Sequence, residues 1–162
     1  MSQAGAMQQQ NDPSQFKTDR THPGRWTITF NNPPINMFLP TTIAELGALM
    51  TELEADPSVK VVVFQSANPD FFVAHLDVAK AVERPEALSM WRDVVLRLSS
   101  APVVSIAKVR GRTRGIGNEF TLACDMRFAS RQTALFGQPE IGVGLVPGGG
   151  ALEWLPRPRA RA

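Results

Sequence analysis

Gly111-Arg-Thr-Arg-Gly-Ile-Gly-Asn-Glu-Phe-Thr-Leu-Ala-Cys-Asp125 decides the fold, and Phe136-Gly-Gln-Pro-Glu-Ile-Gly-Val-Gly-Leu-Val-Pro-Gly-Gly-Gly150 answers it. Ahead of the first stretch, Pro102 to Val109 reads as a buried strand. Behind the Gly115-Ile116-Gly117 turn, Asn118 to about Ala123 reads as a short helix. A strand that enters a helix through such a turn leaves the first helical N–H groups without partners. It also puts the positive end of the helix dipole at the corner. That corner can stabilise an oxyanion, as phosphate loops stabilise phosphate. Glu119 falls in the first turn beside it. In the second stretch, Pro139 restricts the backbone just before Glu140. Two carboxylates next to glycine turns can share a proton or a water, and glycine lets backbone amides approach a ligand closely.

Plainer readings stand beside this one. An acid in a first helical turn is often only a dipole partner, and a glycine cluster is often only a set of turns. Gly115-Ile116-Gly117 is also part of a dinucleotide fingerprint, but Phe120 stands where its third glycine belongs.

Working outward, Trp26, Ile28 and Phe30 alternate with polar residues and predict a half-buried strand from Arg25, broken by Asn31-Asn32-Pro33-Pro34. Ile43, Leu46, Leu49, Met50 and Leu53 recur at helical spacing, so a helix is expected over Pro40 to Ala55, stopped by Asp56-Pro57. Val59 to Gln65 reads as a strand buried on both faces. Phe71 to Ala79 is read as a turn entering a short helix. A further helix is expected from about Pro85 to Ser99, with Leu88, Trp91, Val95 and Leu98 on its apolar face, and a strand over Met126 to Ala129. Strands alternating with helices predict an α/β fold with largely parallel strands. No internal repeat is visible.

The bulk numbers narrow the function. The chain has 162 residues, 43% apolar and 20% charged, enough for one globular domain. Residues 1–22 are polar and Gln-rich, so a disordered leader is expected there, with a core over 23–157 and a basic tail over 158–162. The net charge is only +2, and no basic stripe with interleaved aromatics points to nucleic acid. No apolar run is long enough to span a membrane, and the N-terminus lacks the pattern of a signal peptide. A cytoplasmic, reducing setting is therefore expected. The single cysteine, Cys124, lies in an apolar run and reads as a small buried hydrophobe. Two distant histidines, His22 and His75, give no metal-ligand pattern, so no metal is expected.

Three ordered blocks in this sequence resemble the crotonase family, the enoyl-CoA hydratases and isomerases. They are Phe71-Phe72-Val73-Ala74-His75-Leu76-Asp77, then Gly115 to Glu119 with Leu122 to Asp125, then Phe136 to Glu140 continuing to Pro147-Gly148-Gly149-Gly150. Asn31 to Asn36 is similar to the family's entry segment. The resemblance implies a spiral of ββα units that binds an acyl-CoA thioester, with CoA as part of the substrate and no separate cofactor. It implies an oxyanion hole from the amides of Leu76 and Ile116, and catalytic glutamates at Glu119 and Glu140. Ala74, Asp77, Val78 and Gly117 would line the substrate site. The expected reaction is water addition across the 2,3 double bond, with isomerisation or acyl-CoA binding without turnover as alternatives. Ile116 stands where glycine is usual, so its backbone must take an ordinary conformation. His75 is expected to cap or face solvent. Family members assemble as trimers or dimers of trimers and continue into a helical C-terminal portion. This sequence ends in Pro-Arg-Ala residues unlike that portion, so a truncated chain with exposed core is expected.

Overall fold

The computed structural model describes residues 14–156. Among the described residues, eight strands and five helices follow in chain order: β1 (Phe16–His22), β2 (Arg25–Phe30), α1 (Pro40–Ala55), β3 (Val61–Ser66), β4 (Phe71–Val73), α2 (Val78–Glu83), α3 (Glu86–Ser100), β5 (Val104–Val109), β6 (Arg112–Arg114), α4 (Ile116–Ala123), β7 (Met126–Ala129), β8 (Leu135–Gly137) and α5 (Ala151–Trp154). A 3₁₀ turn, Pro139–Val143, follows β8.

The strands form two sheets. The larger runs β1-β2-β3-β5-β7 and the smaller β4-β6-β8. All pairings are parallel except the antiparallel hairpin β1–β2. A regular path results: a strand in the large sheet, a short strand in the small one, then a helix. It is traversed as β3-β4-α2/α3, as β5-β6-α4, and as β7-β8 with the 3₁₀ turn. This is the ββα spiral that the resemblance implies, repeated in space although no repeat shows in the sequence. Side chains vary freely from turn to turn because backbone hydrogen bonding, not residue identity, defines each unit.

Aromatic residues fill the centre. Phe30 contacts the rings of Phe16, Phe38, Phe64, Phe72 and Phe120 at centroid separations of 5.2–6.3 Å. Phe120 meets Phe64 edge-on at 4.8 Å, a favoured geometry for ring quadrupoles. Phe120 is fully buried, so the residue that spoils the dinucleotide fingerprint is the one that anchors α4 in the core.

Three expectations are corrected, besides Phe71 to Ala79, whose turn reading gives way to the strand β4 at Phe71–Val73 ahead of α2. The first is the disordered leader over residues 1–22. Residues 16–22 form β1, paired residue by residue with β2, while 1–13 lie outside the described residues. Composition missed the strand because its order comes from main-chain bonds. Asn31 N–H donates to Gln15 O at 2.8 Å, and Phe16 and the Arg20 guanidinium pack on Phe30 and Trp26. Second, β3 is buried on one face only: Val62 and Phe64 are inside, while Val61 and Val63 are half-exposed. Third, Leu88 is 48% exposed; α3 turns Ala87, Trp91, Val94, Val95 and Leu98 inward instead. The tail over 158–162 lies outside the described residues.

Candidate active site

The site is built around the N-terminus of α4. Gly115 caps that helix with φ 51° and ψ −122°, a conformation that essentially only glycine adopts without strain. Because Gly115 absorbs the sharp turn, Ile116 keeps an ordinary negative φ as the first helical residue, and its amide heads the helix without an intrahelical partner. Gly117 then lies flat on β4. A Cβ there would stand 2.6 Å from Val73 Cβ and 2.8 Å from Val73 O. This close approach brings the loop after β4, which carries residues 74–77, beside the helix start.

That loop is held by its own backbone. Phe38 N–H donates to His75 O at 2.9 Å, and Asp77 N–H donates to Phe38 O at 2.8 Å. Amides alternate in direction along a ladder, so that of Leu76 points away from Phe38. Asn36, 2% exposed and at φ 52°, ties the strand from behind. Its Nδ2 donates to Ser66 Oγ at 2.7 Å and to Phe72 O at 3.2 Å, while its Oδ1 accepts from Asn32 N–H at 2.8 Å.

Glu119 is 3% exposed on the inner side of α4. Its Oε1 accepts from the amides of Gly149 at 2.9 Å and Ala151 at 3.2 Å. Burial raises its pKa above the usual carboxylate value. The two amides oppose that shift, and the charges of Glu140 and Glu153 add to it. Glu140 reaches in from the 3₁₀ turn. Its Oε1 would stand 2.8 Å from a Cβ at Gly115, and its Oε2 is buried with no hydrogen-bond partner. The two carboxylates therefore flank the same helix start, close enough for one charge to perturb the other. Behind them, the side-chain amides of Asn118 and Gln138 pair at 2.9 Å, and Gly115 N–H donates to Gly137 O at 2.9 Å. These bonds pin the 3₁₀ turn to α4.

The remaining expected site residues divide. Ala74 is buried at 2% beside the helix start. Gly117 acts as a spacer against β4. Asp77 accepts from Lys80 N–H at 3.0 Å and so caps α2. Val78 is 56% exposed. His75 is exposed, with Nδ1 2.8 Å from Leu76 O. Cys124 is buried at the end of α4. Sequence reading missed the acceptor role of Glu119 toward Gly149 and Ala151. The Gly148-Gly149-Gly150 run was its only signal. A groove of about 320 Å³ between α1 and α3, lined by Ile43, Gly47, Ser89, Met90, Asp93 and Val94, contains none of these groups. No described helix is long and apolar enough to cross a membrane.

With this geometry in hand, likeness to known proteins is specific. The chain matches the enoyl-CoA hydratase/isomerase family over residues 21–161. It is 33% identical over 136 residues to a short-chain-enoyl-CoA hydratase of Clostridium acetobutylicum, covering 80% of this chain and 52% of that protein. It is 36% identical over 120 residues to the fatty acid oxidation complex subunit alpha of Shewanella frigidimarina, covering 70% and 17%. A crystal structure from Streptomyces avermitilis superposes with a TM-score of 0.81 at 42% identity, covering 91% of this chain and 56% of that one. An enoyl-CoA hydratase of Bacillus anthracis superposes at 0.83 and 26% identity, covering 89% and 58%. The chain belongs to the enoyl-CoA hydratase/isomerase family and has the crotonase fold. It spans about half the length of the Clostridium hydratase and less of the Shewanella subunit.

Proposed function

We propose that this chain hydrates an enoyl-CoA thioester, with Glu119 and Glu140 as the acid–base pair and the amides of Leu76 and Ile116 as the oxyanion hole. The thioester carbonyl oxygen accepts from both amides. A water sits between the carboxylates. Its oxygen bonds to C3 as one carboxylate takes its proton, and the electrons of the 2,3 double bond move onto the thioester oxygen. The other glutamate, protonated at the outset, gives its proton to C2 as the electrons return from the thioester oxygen, which completes the 3-hydroxyacyl-CoA and leaves the water's proton on its partner. The chemistry needs no cofactor, since CoA comes with the substrate. The observation that carries this reading is the buried, unpartnered Oε2 of Glu140 beside a helix start that also holds Glu119. A carboxylate oxygen buried without a donor is costly, and a bound water supplies one. The raised pKa of Glu119 suits a group that must hold and release a proton.

Incubation with crotonyl-CoA, followed by loss of the enoyl-thioester absorbance, tests it. Hydration is expected, falling about 10²–10⁴-fold in Glu119→Gln and in Glu140→Gln. Equal rates in wild type and both variants would remove the pair from the mechanism. One observation favours a second reading, acyl-CoA binding without turnover. The segment that carries Glu140 presents Ile141 at 84%, Val143 at 72% and Val146 at 75% exposure, so the described residues leave that side of the site open to water. Calorimetric binding of crotonyl-CoA without hydration would establish it.

A further inference from the structure

We propose that Trp91 is a positioning residue for Glu119, acting through the backbone of Gly149; the inference rests on the hydratase reading. Trp91 lies on α3, remote in sequence from both glutamates, and is 1% exposed. Its indole Nε1–H donates to Gly149 O at 3.2 Å. The amide of that same residue donates to Glu119 Oε1 at 2.9 Å, and the next turn adds the amide of Ala151 at 3.2 Å. One glycine thus relays a core tryptophan to a buried carboxylate.

The fit leaves no slack. A Cβ on Gly149 would collide with both Glu119 Oε2 and Trp91 Nε1, so carboxylate, glycine and indole form one close-packed layer. The ring is fixed in turn by an edge-on contact with Phe38 at 5.8 Å and a tilted contact with Phe120 at 6.4 Å. Phe120 follows Glu119 directly on α4. The indole therefore touches both supports of the carboxylate: the helix that carries it and the loop that holds its oxygen. Both described hydrogen bonds to Glu119 fall on Oε1, which aims the carboxylate, while Oε2 packs against Gly149. Without the indole donor, the glycine run would keep its packing and lose the bond that orients Gly149. A buried tryptophan usually finds a partner for its N–H; here that partner is the peptide that grips the acid.

The test separates positioning from packing. Trp91→Phe keeps an aromatic ring and removes the donor. A sulfur analogue of tryptophan lacking the N–H, placed at position 91 by codon suppression, keeps the full shape should the phenylalanine variant fold poorly. Amide hydrogen exchange should quicken at Gly149 and Ala151 by roughly 2- to 10-fold, the contribution of one neutral hydrogen bond, with β3 and β5 amides unchanged. With crotonyl-CoA, kcat should fall by up to about 10²-fold, with KM nearly constant. Exchange that quickens everywhere alike, or nowhere, would reduce Trp91 to core packing. Local quickening with unchanged kcat would overturn its part in the reaction. If wild type fails to hydrate crotonyl-CoA, the functional reading falls, while exchange still decides whether Trp91 orders the amides that hold Glu119.

Discussion

At the scale of single residues, Glu119 places a carboxylate where water hardly reaches and satisfies it with two backbone amides. Its pKa in the folded chain lies above the ordinary 4.5 because burial disfavours the charged form. The stability this group contributes is therefore present below pH 4.5 and is lost as pH rises through the raised folded value. Near neutral pH, Glu119→Gln is expected to melt higher than wild type, since the amide side chain can accept the same bonds without carrying charge. The difference should close as pH falls toward 4.5; calorimetry across that range measures it. A buried acid held at a cost in stability is the trade expected of the catalytic role proposed for Glu119. Gly117 gives a second prediction. Ala there drives a Cβ into Val73 and its carbonyl, and overpacking of this kind costs about 1–3 kcal/mol. Urea unfolding should show the loss, and on the proposed hydratase reading any crotonyl-CoA hydration should fall with it, because the loop carrying residues 74–77 is displaced. At this scale, Glu119 and Glu140 were legible as acids beside glycine turns. Trp91 was legible only as a core residue, because nothing in a helical apolar stripe shows where one indole N–H points.

At the scale of elements, β4 and the loop after it matter most for the site, yet β4 has only three residues. Its position depends on Asn36, which bonds Ser66 and Phe72 from a positive-φ turn. Asn36→Ala strands buried acceptors and places alanine in a backbone region that asparagine tolerates better. A loss of about 1–3 kcal/mol is expected from the unmet acceptors, read as a lower urea midpoint. Faster amide exchange over residues 72–76 should accompany it. The helices α1 and α3 were well marked by their apolar spacing, and α1 matches its expected bounds, Pro40 to Ala55. β1 was not, because Lys17, Thr18, Asp19 and Arg20 carry no apolar signal. Its order comes from pairing with β2, a partner that local sequence cannot name. Leu88 shows the same limit in a helix: the stripe on α3 permits two faces, and packing against α1 and α4 selects the one centred on Trp91.

At the scale of the whole molecule, the central strands β2, β3 and β5 of the large sheet have one covered face and one open one. The pairing register sets Val61 against Val104 and Val63 against Ile106, and continues with Ile106 against Met126 and Lys108 against Phe128. These residues share the outer face, whose apolar side chains become more exposed from β3 toward the edge strand β7. Val104 is 44%, Met126 46% and Phe128 56% exposed. Apolar surface of this extent promotes association. Concentration-dependent self-association is expected in sedimentation velocity, reduced in a Phe128→Lys variant without loss of secondary structure. Assembly into a trimer, as the resemblance implies, predicts one defined larger species; a broad distribution would count against it.

The sequence by itself determined the longer helices and the strands of the large sheet from β2 on, the aromatic and aliphatic core, and the two glutamates beside glycine turns. These are local properties, written in spacing and residue type. The short strands β4, β6 and β8 of the small sheet it left as turn and loop. Only the tertiary structure decided that residues 16–22 form a strand, that β3 hides one face, and that an indole on α3 reaches the glycine gripping Glu119. Those outcomes depend on which distant segment supplies a hydrogen bond or a packing surface. The chain closes those contacts only when the spiral winds its turns together.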